Sequence, residues 1–251
     1  MSVFAIADIH LSLDADKSME FFKGRWSGYV EKLKKNWNET VAQSDSVVIA
    51  GDISWASDLG GCEKDFGFIN DELSGFKYII KGNHDYWWGT ASKMNGWLAE
   101  KSFGKIKIVH NNAYACENII ICGTRGWFAG EGEEEDEYGE VSEEAAFNQK
   151  ILNREVNRLD MSVQAAKKLK SADNNNGEIV AFIHYPPVYG DYVCEEIIGL
   201  LEKEGIKRCY FGHIHNVNAN KIKKTRGDIN FEVVSADYLR FTPARVTARC
   251  E

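Results

Sequence analysis

Proline is scarce in this 251-residue chain, with three in all, which leaves little room for Pro-rich linkers or extended tails. No apolar run approaches the ~20 residues needed to cross a bilayer, so a membrane-spanning class is excluded. Six cysteines (Cys62, Cys116, Cys122, Cys194, Cys209, Cys250) form no C-x-x-C pair and no dense framework. They read as reduced thiols of a cytoplasmic protein, several of them buried as small hydrophobes. The N-terminus meets an acid at Asp8 before a leader-like apolar core develops, and the expectation is that there is no secretory signal. Lys and Arg are missing from Glu131 to Glu144, where nine acids stand. They account for the whole excess behind the net charge of -8, and the rest of the chain is nearly neutral.

What is present suits a soluble globular protein: 44% hydrophobic and 27% charged residues, enough for a sizeable core. Short β-branched or aromatic runs predict strands at Val3 to Ala7, Val47 to Ala50, Tyr78 to Ile80, Lys105 to Val109, Asn118 to Cys122, Ile179 to Ile183, Arg208 to Phe211, Phe231 to Ser235 and Arg245 to Ala248. Helical period appears from Ser18 to Val41, where Met19, Phe22, Trp26, Val30, Leu33, Trp37 and Val41 step along one face. Shorter helices are predicted at Cys62 to Leu73, Thr90 to Leu98 and Val193 to Lys203. A long one covers about 143–170, with a stripe of Phe147, Ile151, Val156, Leu159, Val163 and Ala166. Strand and helix alternate in the first half, while the closing strands lack helices between them. The expected class is therefore α/β with mixed sheets, as one domain over 1–251. Residues 130–141 are expected to be an acidic loop extended by its own repulsion.

Chemistry gathers at the strand ends. Phe4-Ala-Ile-Ala runs into Asp8-Ile-His10, and Val47-Val-Ile-Ala into Gly51-Asp52. Tyr78-Ile-Ile-Lys runs into Gly82-Asn83-His84-Asp85, Val180-Ala-Phe-Ile into His184, and Cys209-Tyr-Phe into Gly212-His213-Ile-His215. Ligands of open α/β sheets bind beyond the carboxyl ends of strands. Imidazole with carboxylate is a donor set for zinc, manganese or iron. Gly51, Gly82 and Gly212 are read as turn positions free to take φ > 0. His110 also follows an apolar run but has no partner motif, and is left outside the set.

In this order, the five segments resemble the motif set of the calcineurin-like metallophosphoesterases, over residues 8–215. The resemblance implies a four-layer fold of two mixed sheets flanked by helices, with two divalent cations (manganese, iron or zinc) at the sheet edge. It assigns Asp8, His10 and His215 to one metal and Asn83, His184 and His213 to the other, with Asp52 bridging. It makes His84 a catalytic group at the phosphoryl oxygen or leaving group, with Asp85 orienting its ring. Arg125 is a candidate fork for phosphate, and Tyr86 and Tyr185 are candidates for a stacking surface beside Trp87 and Trp88. The implied activity is hydrolysis of a small phosphodiester or phosphomonoester, the diester slightly favoured. The alternatives are a protein phosphatase and a non-catalytic scaffold on the same fold. The acidic balance argues against a long nucleic-acid partner, and no membrane partner is expected.

Overall fold

The computed structural model describes residues 1–14, 18–128, 143–172, 176–222 and 224–246. The expected acidic loop at 130–141 and the last residues of the predicted strand ending at Ala248 lie outside them.

In chain order the strands are β1 (Val3–Ile6), β2 (Ser46–Ala50), β3 (Phe76–Ile80), β4 (Ile106–Ile108), β5 (Tyr114–Cys116), β6 (Ile119–Thr124), β7 (Glu178–Ile183), β8 (Val188–Tyr189), β9 (Tyr192–Val193), β10 (Arg208–Phe211), β11 (Thr225–Arg226), β12 (Ile229–Val233) and β13 (Ala244–Arg245). The helices are α1 (Tyr29–Thr40), α2 (Glu63–Gly67), α3 (Ala91–Glu100), α4 (Glu143–Ala172) and α5 (Glu195–Lys203). One sheet has the order β13-β1-β2-β3-β4, the other β11-β12-β10-β7-β6-β5, and β8-β9 form a separate ribbon. Within each sheet the central strands pair in parallel and an edge pair is antiparallel, so both are mixed, as expected.

The alternation of side chains along each strand builds the layers. Phe4, Ile6, Val47, Ile49 and Ile79 face outward with Leu33, Trp37, Phe66, Met94 and Leu98 from α1, α2 and α3. Their neighbours Val3, Ala5, Val48, Ala50 and Ile80 meet Ile119, Ile121, Val180, Phe182 and Tyr210 of the second sheet. Ile120, Cys122, Ala181, Ile183 and Phe211 then pack on Leu159, Val163, Ile197 and Leu201 of α4 and α5. Two sheets thus lie face to face between two layers of helix.

Three expectations change. The stretch Ser18 to Val41 is two short 3-10 turns followed by α1, because the chain turns through positive φ at Lys23, Gly24 and Gly28. Phe22 consequently points to solvent, whereas Met19 and Trp26 stay buried. In α4 the buried face runs through Leu152, Glu155, Leu159, Ser162, Val163 and Ala166. Phe147 is exposed, and the polar Glu155 and Ser162 take places on the stripe that hydrophobicity alone reserved for others. The two-residue strands β8, β9 and β11 and the three-residue β5 escaped prediction, being too short to show a period.

Candidate metal centre

Both sheets deliver their strand ends to one rim. Past β1 the backbone stays paired with the chain after β2, through Asp8 N–H to Gly51 O at 2.9 Å and His10 N–H to Asp52 O at 3.0 Å. It is also tied to the other sheet. Ala7 donates to Val234 O at 2.8 Å and its carbonyl accepts from Ala236 N–H at 2.9 Å. His184 and Gly212 join through Gly212 N–H to His184 O at 3.1 Å. Residues far apart in the chain are thereby held side by side.

Four of the side chains sit on strained backbone. Asp8 (φ 58°), His10 (φ 43°), Asp52 (φ 52°) and His213 (φ 70°) are all left-handed, a conformation that costs a non-glycine residue about 1–2 kcal/mol. Such strain concentrates at functional sites because the surrounding structure must over-determine it. The glycines act differently from expectation. Only Gly51 has positive φ, at 94°. At Gly82 a Cβ would fall 2.1 Å from Asp52 Oδ1, and at Gly212 it would fall 2.4 Å from the Ala7 Cβ. These two are required by close approach of other atoms, not by φ.

Two triads result, Asp8 with His10 and His215, and Asp52 with His184 and His213. Asp52 Oδ2 lies 3.6 Å from His10 Nε2 and 3.5 Å from His184 Nε2, between the triads. Its Oδ1 accepts from His84 N–H at 2.8 Å. Asp8 accepts from His213 N–H with both oxygens, at 3.1 and 2.8 Å. Asn83 Oδ1 stands 2.7 Å from His184 Nε2 and 3.0 Å from His213 Nδ1. His10 Nε2 and His215 Nε2 are 3.1 Å apart. His110, outside the expected set, belongs to neither triad.

The donor set fits divalent cations. The 3.0 Å contact of His184 Nδ1 with Ala50 O assigns its proton to Nδ1. The Nε2 lone pair then faces two further acceptors, Asn83 Oδ1 and Asp52 Oδ2, an arrangement that positive charge between them stabilises. The protonation states agree. Burial and the neighbouring imidazoles hold His184 and His213 down to about 3 and His10 well below its usual range, so all three are neutral near pH 7, the form in which imidazole binds a metal. Burial pushes the carboxyls of Asp8 and Asp52 up, a penalty on their ionised forms that a bound cation offsets.

Around the triads the structure revises one assignment. Both oxygens of Asp85 accept backbone N–H groups: Gly82 at 2.7 Å, Ile53 at 2.8 Å, Asp52 at 3.0 Å and Ser54 at 3.3 Å. Asp85 therefore stitches two rim loops together instead of orienting the His84 ring. That ring instead contacts Trp55, at 4.4 Å between centroids, and its Nδ1 lies 3.3 Å from the Tyr86 hydroxyl. Tyr86 is exposed, Trp87 is buried in the outer core, and Tyr185 is a buried wall whose ring lies 4.4 Å from that of His213. Arg125 pairs with Glu155 at 3.4 Å and covers the Trp127 ring at 5.2 Å.

Sequence reasoning missed Asp237, whose carboxylate stands 3.3 Å from His215 Nδ1 and accepts from Asn216 N–H at 2.9 Å. It also missed Trp55, stacked on His10 at 4.9 Å, and Trp26, edge-on to His10 and His215. For Asp237 a signal existed, because it follows the run Phe231 to Ser235 just as the recognised acids follow theirs.

The sequence model of the calcineurin-like phosphoesterase family matches residues 1–217. Among solved structures, a protein of unknown function from Aquifex aeolicus, AQ665, superposes with a TM-score of 0.51 at 13% identity, covering 97% of this chain and 95% of its own. The protein TT1561 of Thermus thermophilus gives a TM-score of 0.49 at 13% identity over 84% of this chain and 80% of its own. No curated protein matches the sequence.

Proposed function

This chain belongs to the calcineurin-like phosphoesterase family, and we propose that it hydrolyses a phosphoester bond in a small phosphodiester or phosphomonoester, nucleotides and cyclic nucleotides included. The observation that carries this reading is the position of Asp52, one carboxylate oxygen within 3.6 Å of an imidazole from each triad. In the proposed assignment Asp8, His10 and His215 hold one divalent cation, Asn83, His184 and His213 hold a second, and Asp52 is shared. Manganese, iron and zinc all accept such a mixed nitrogen and oxygen set. When bound, such a pair supplies a nucleophilic hydroxide near neutral pH and offsets charge on the phosphoryl oxygens.

The chain's own groups do the remaining work. His84 is half-buried beside both triads; its Nδ1 pairs with the Tyr86 hydroxyl and its ring rests on Trp55. That leaves Nε2 to give a proton to the leaving-group oxygen. Trp55 and Trp26 cover His10 and keep water off one side of the cluster. Tyr86, exposed next to His84, offers a face to an aromatic leaving group. The diester is slightly favoured over the monoester. The net charge of -8 speaks against long nucleic acids. We also assign the protein to the cytoplasm, since five described cysteines are buried free thiols.

The test is turnover of bis(p-nitrophenyl) phosphate and of p-nitrophenyl phosphate after manganese loading, with Asp52→Asn as control. Diester turnover that disappears in the variant supports a phosphodiesterase, and monoester turnover alone a phosphatase. A wild-type chain with two bound cations and no turnover of either ester overturns the reading.

A further inference from the structure

Next to the metal cluster, on the side of β4 and β6, a narrow pocket is lined by Lys81, His110, Asn111, Arg125, Glu155 and Arg158. It lies on the same rim. Lys81 extends β3 towards Asn83, His110 and Asn111 follow β4, Arg125 follows the end of β6, and Glu155 and Arg158 stand one turn apart on α4. A run of rings connects it to the triads. Arg125 covers Trp127 at 5.2 Å, Trp127 meets Tyr185 at 5.6 Å, and Tyr185 meets His213 at 4.4 Å.

The charges in this pocket do not balance. Glu155 is fully buried and accepts from the Thr124 hydroxyl at 2.8 Å, from Arg158 at 2.7 Å and from Arg125 at 3.4 Å. One carboxylate thus serves both guanidinium groups, and the second acid whose charge reaches Lys81, Asp85, has its oxygens engaged by four backbone N–H groups. Among the described residues Lys81 has no hydrogen-bond or ion-pair partner, although its side chain is half-buried. A buried donor, Arg125 Nε, also lacks a partner within the protein. Desolvated polar and charged groups are costly without a counterpart, so the pocket is built for a ligand.

The ligand's charge and size follow. The surplus of positive charge and the guanidinium forks, with several N–H donors converging, match the three oxygens of a phosphoryl group better than the two of a carboxylate. The pocket admits a single water-sized group, so neither a ring nor a phosphoryl group enters it, and a terminal phosphoryl group would rest at its entrance against the lining cations. We infer that the entrance of this pocket holds a second phosphoryl group of the substrate. The preferred substrate then carries two phosphoryl groups on a short spacer, one bound at the triads and one held by Lys81, Arg125 and Arg158. This inference rests on the proposed phosphoesterase activity.

Lys81→Gln is the informative variant, because Lys81 makes no hydrogen bond or ion pair among the described residues, whereas replacing either arginine would strand Glu155. Two measurements on the full-length chain separate the possibilities. The first is thermal unfolding of the metal-stripped chain against inorganic phosphate. Phosphate should raise the melting temperature of the wild type and leave Lys81→Gln unmoved. The second is kcat/KM of the manganese-loaded chain for alkanediol bisphosphates of two to six carbons against the matched monophosphates. The wild type should prefer a bisphosphate, and Lys81→Gln should reduce that preference about tenfold, the worth of one charge-assisted hydrogen bond. Phosphate stabilisation that is absent or equal in the two forms, or no preference at any spacer length, overturns the inference. A chain stabilised through Lys81 that cleaves no ester overturns the phosphoesterase activity and leaves phosphate binding by the pocket intact.

Discussion

Asp237 Oδ1 stands 3.3 Å from His215 Nδ1, while its second oxygen accepts the Asn216 N–H at 2.9 Å. Burial works against the ionised form of Asp237, yet these two contacts outweigh it and hold the carboxyl below its usual range. The pair fixes the His215 ring with its proton on Nδ1, which turns Nε2 towards His10 and Asp8. A carboxylate behind a metal-binding imidazole sets both tautomer and orientation.

Asp237→Ala should therefore weaken the site of Asp8, His10 and His215 by about 10- to 100-fold in metal affinity. Competition with a chelating dye reads this directly. Affinity equal to the wild type would mean that packing against Trp26 alone holds the ring.

His84→Ala should keep both cations and lose about 10²–10⁴-fold in kcat, the usual worth of a positioned proton donor. Metal content and kcat are measured on the same preparation. Undiminished turnover would remove His84 from the reaction.

Gly82→Ala puts a methyl group 2.1 Å from Asp52 Oδ1 and 2.2 Å from Asp52 N. The loop must shift, at a cost of about 1–3 kcal/mol, and Asp52 must move with it. Urea unfolding should show the lost stability and metal titration the weakened site. Neither changing would contradict the close approach.

Lys77 is fully buried, and burial together with Lys105 holds its ammonium down to about 7. The unfolded chain then binds more protons than the folded one between pH 7 and the ordinary lysine range near 10.5. The sign follows: this group's contribution is fully present above the unfolded value and is lost as pH falls towards 7. Stability should rise with pH across that window, by at most about 1.4 kcal/mol per pH unit. Lys77→Met should flatten the slope in urea titrations run from pH 7 to 10. A slope that survives the substitution belongs to other groups.

The sheets and the donor residues were legible because strand runs announce themselves and five of them end in Asp, Asn or His. Asp8 and His10 share one triad, whereas the neighbouring His213 and His215 fall in different ones. What stayed hidden depends on backbone paths that no local pattern encodes. Asp85 looked like a partner for its neighbour His84, but tight turns bring four N–H groups within its reach first. Trp55 is three residues beyond Asp52 and reaches His10 only because the chain after β2 remains paired with the chain after β1. The break at Lys23–Gly24 was signalled by glycines, yet a continuous apolar period masked it.

The tie between Ala7 and the segment Val234–Ala236 makes the site a property of the finished chain. During synthesis Asp8, His10, Asp52 and Asn83 emerge first, and the His213 amide that Asp8 receives arrives 205 residues later. Contacts of such long sequence separation form late, since the intervening loop entropy must be overcome before they are rewarded. A product that stops before His184 retains four of the seven donors and neither triad. Tight cation uptake would therefore report that both sheets have come together, and a nascent or fragmented chain lacks the assembled site until that moment.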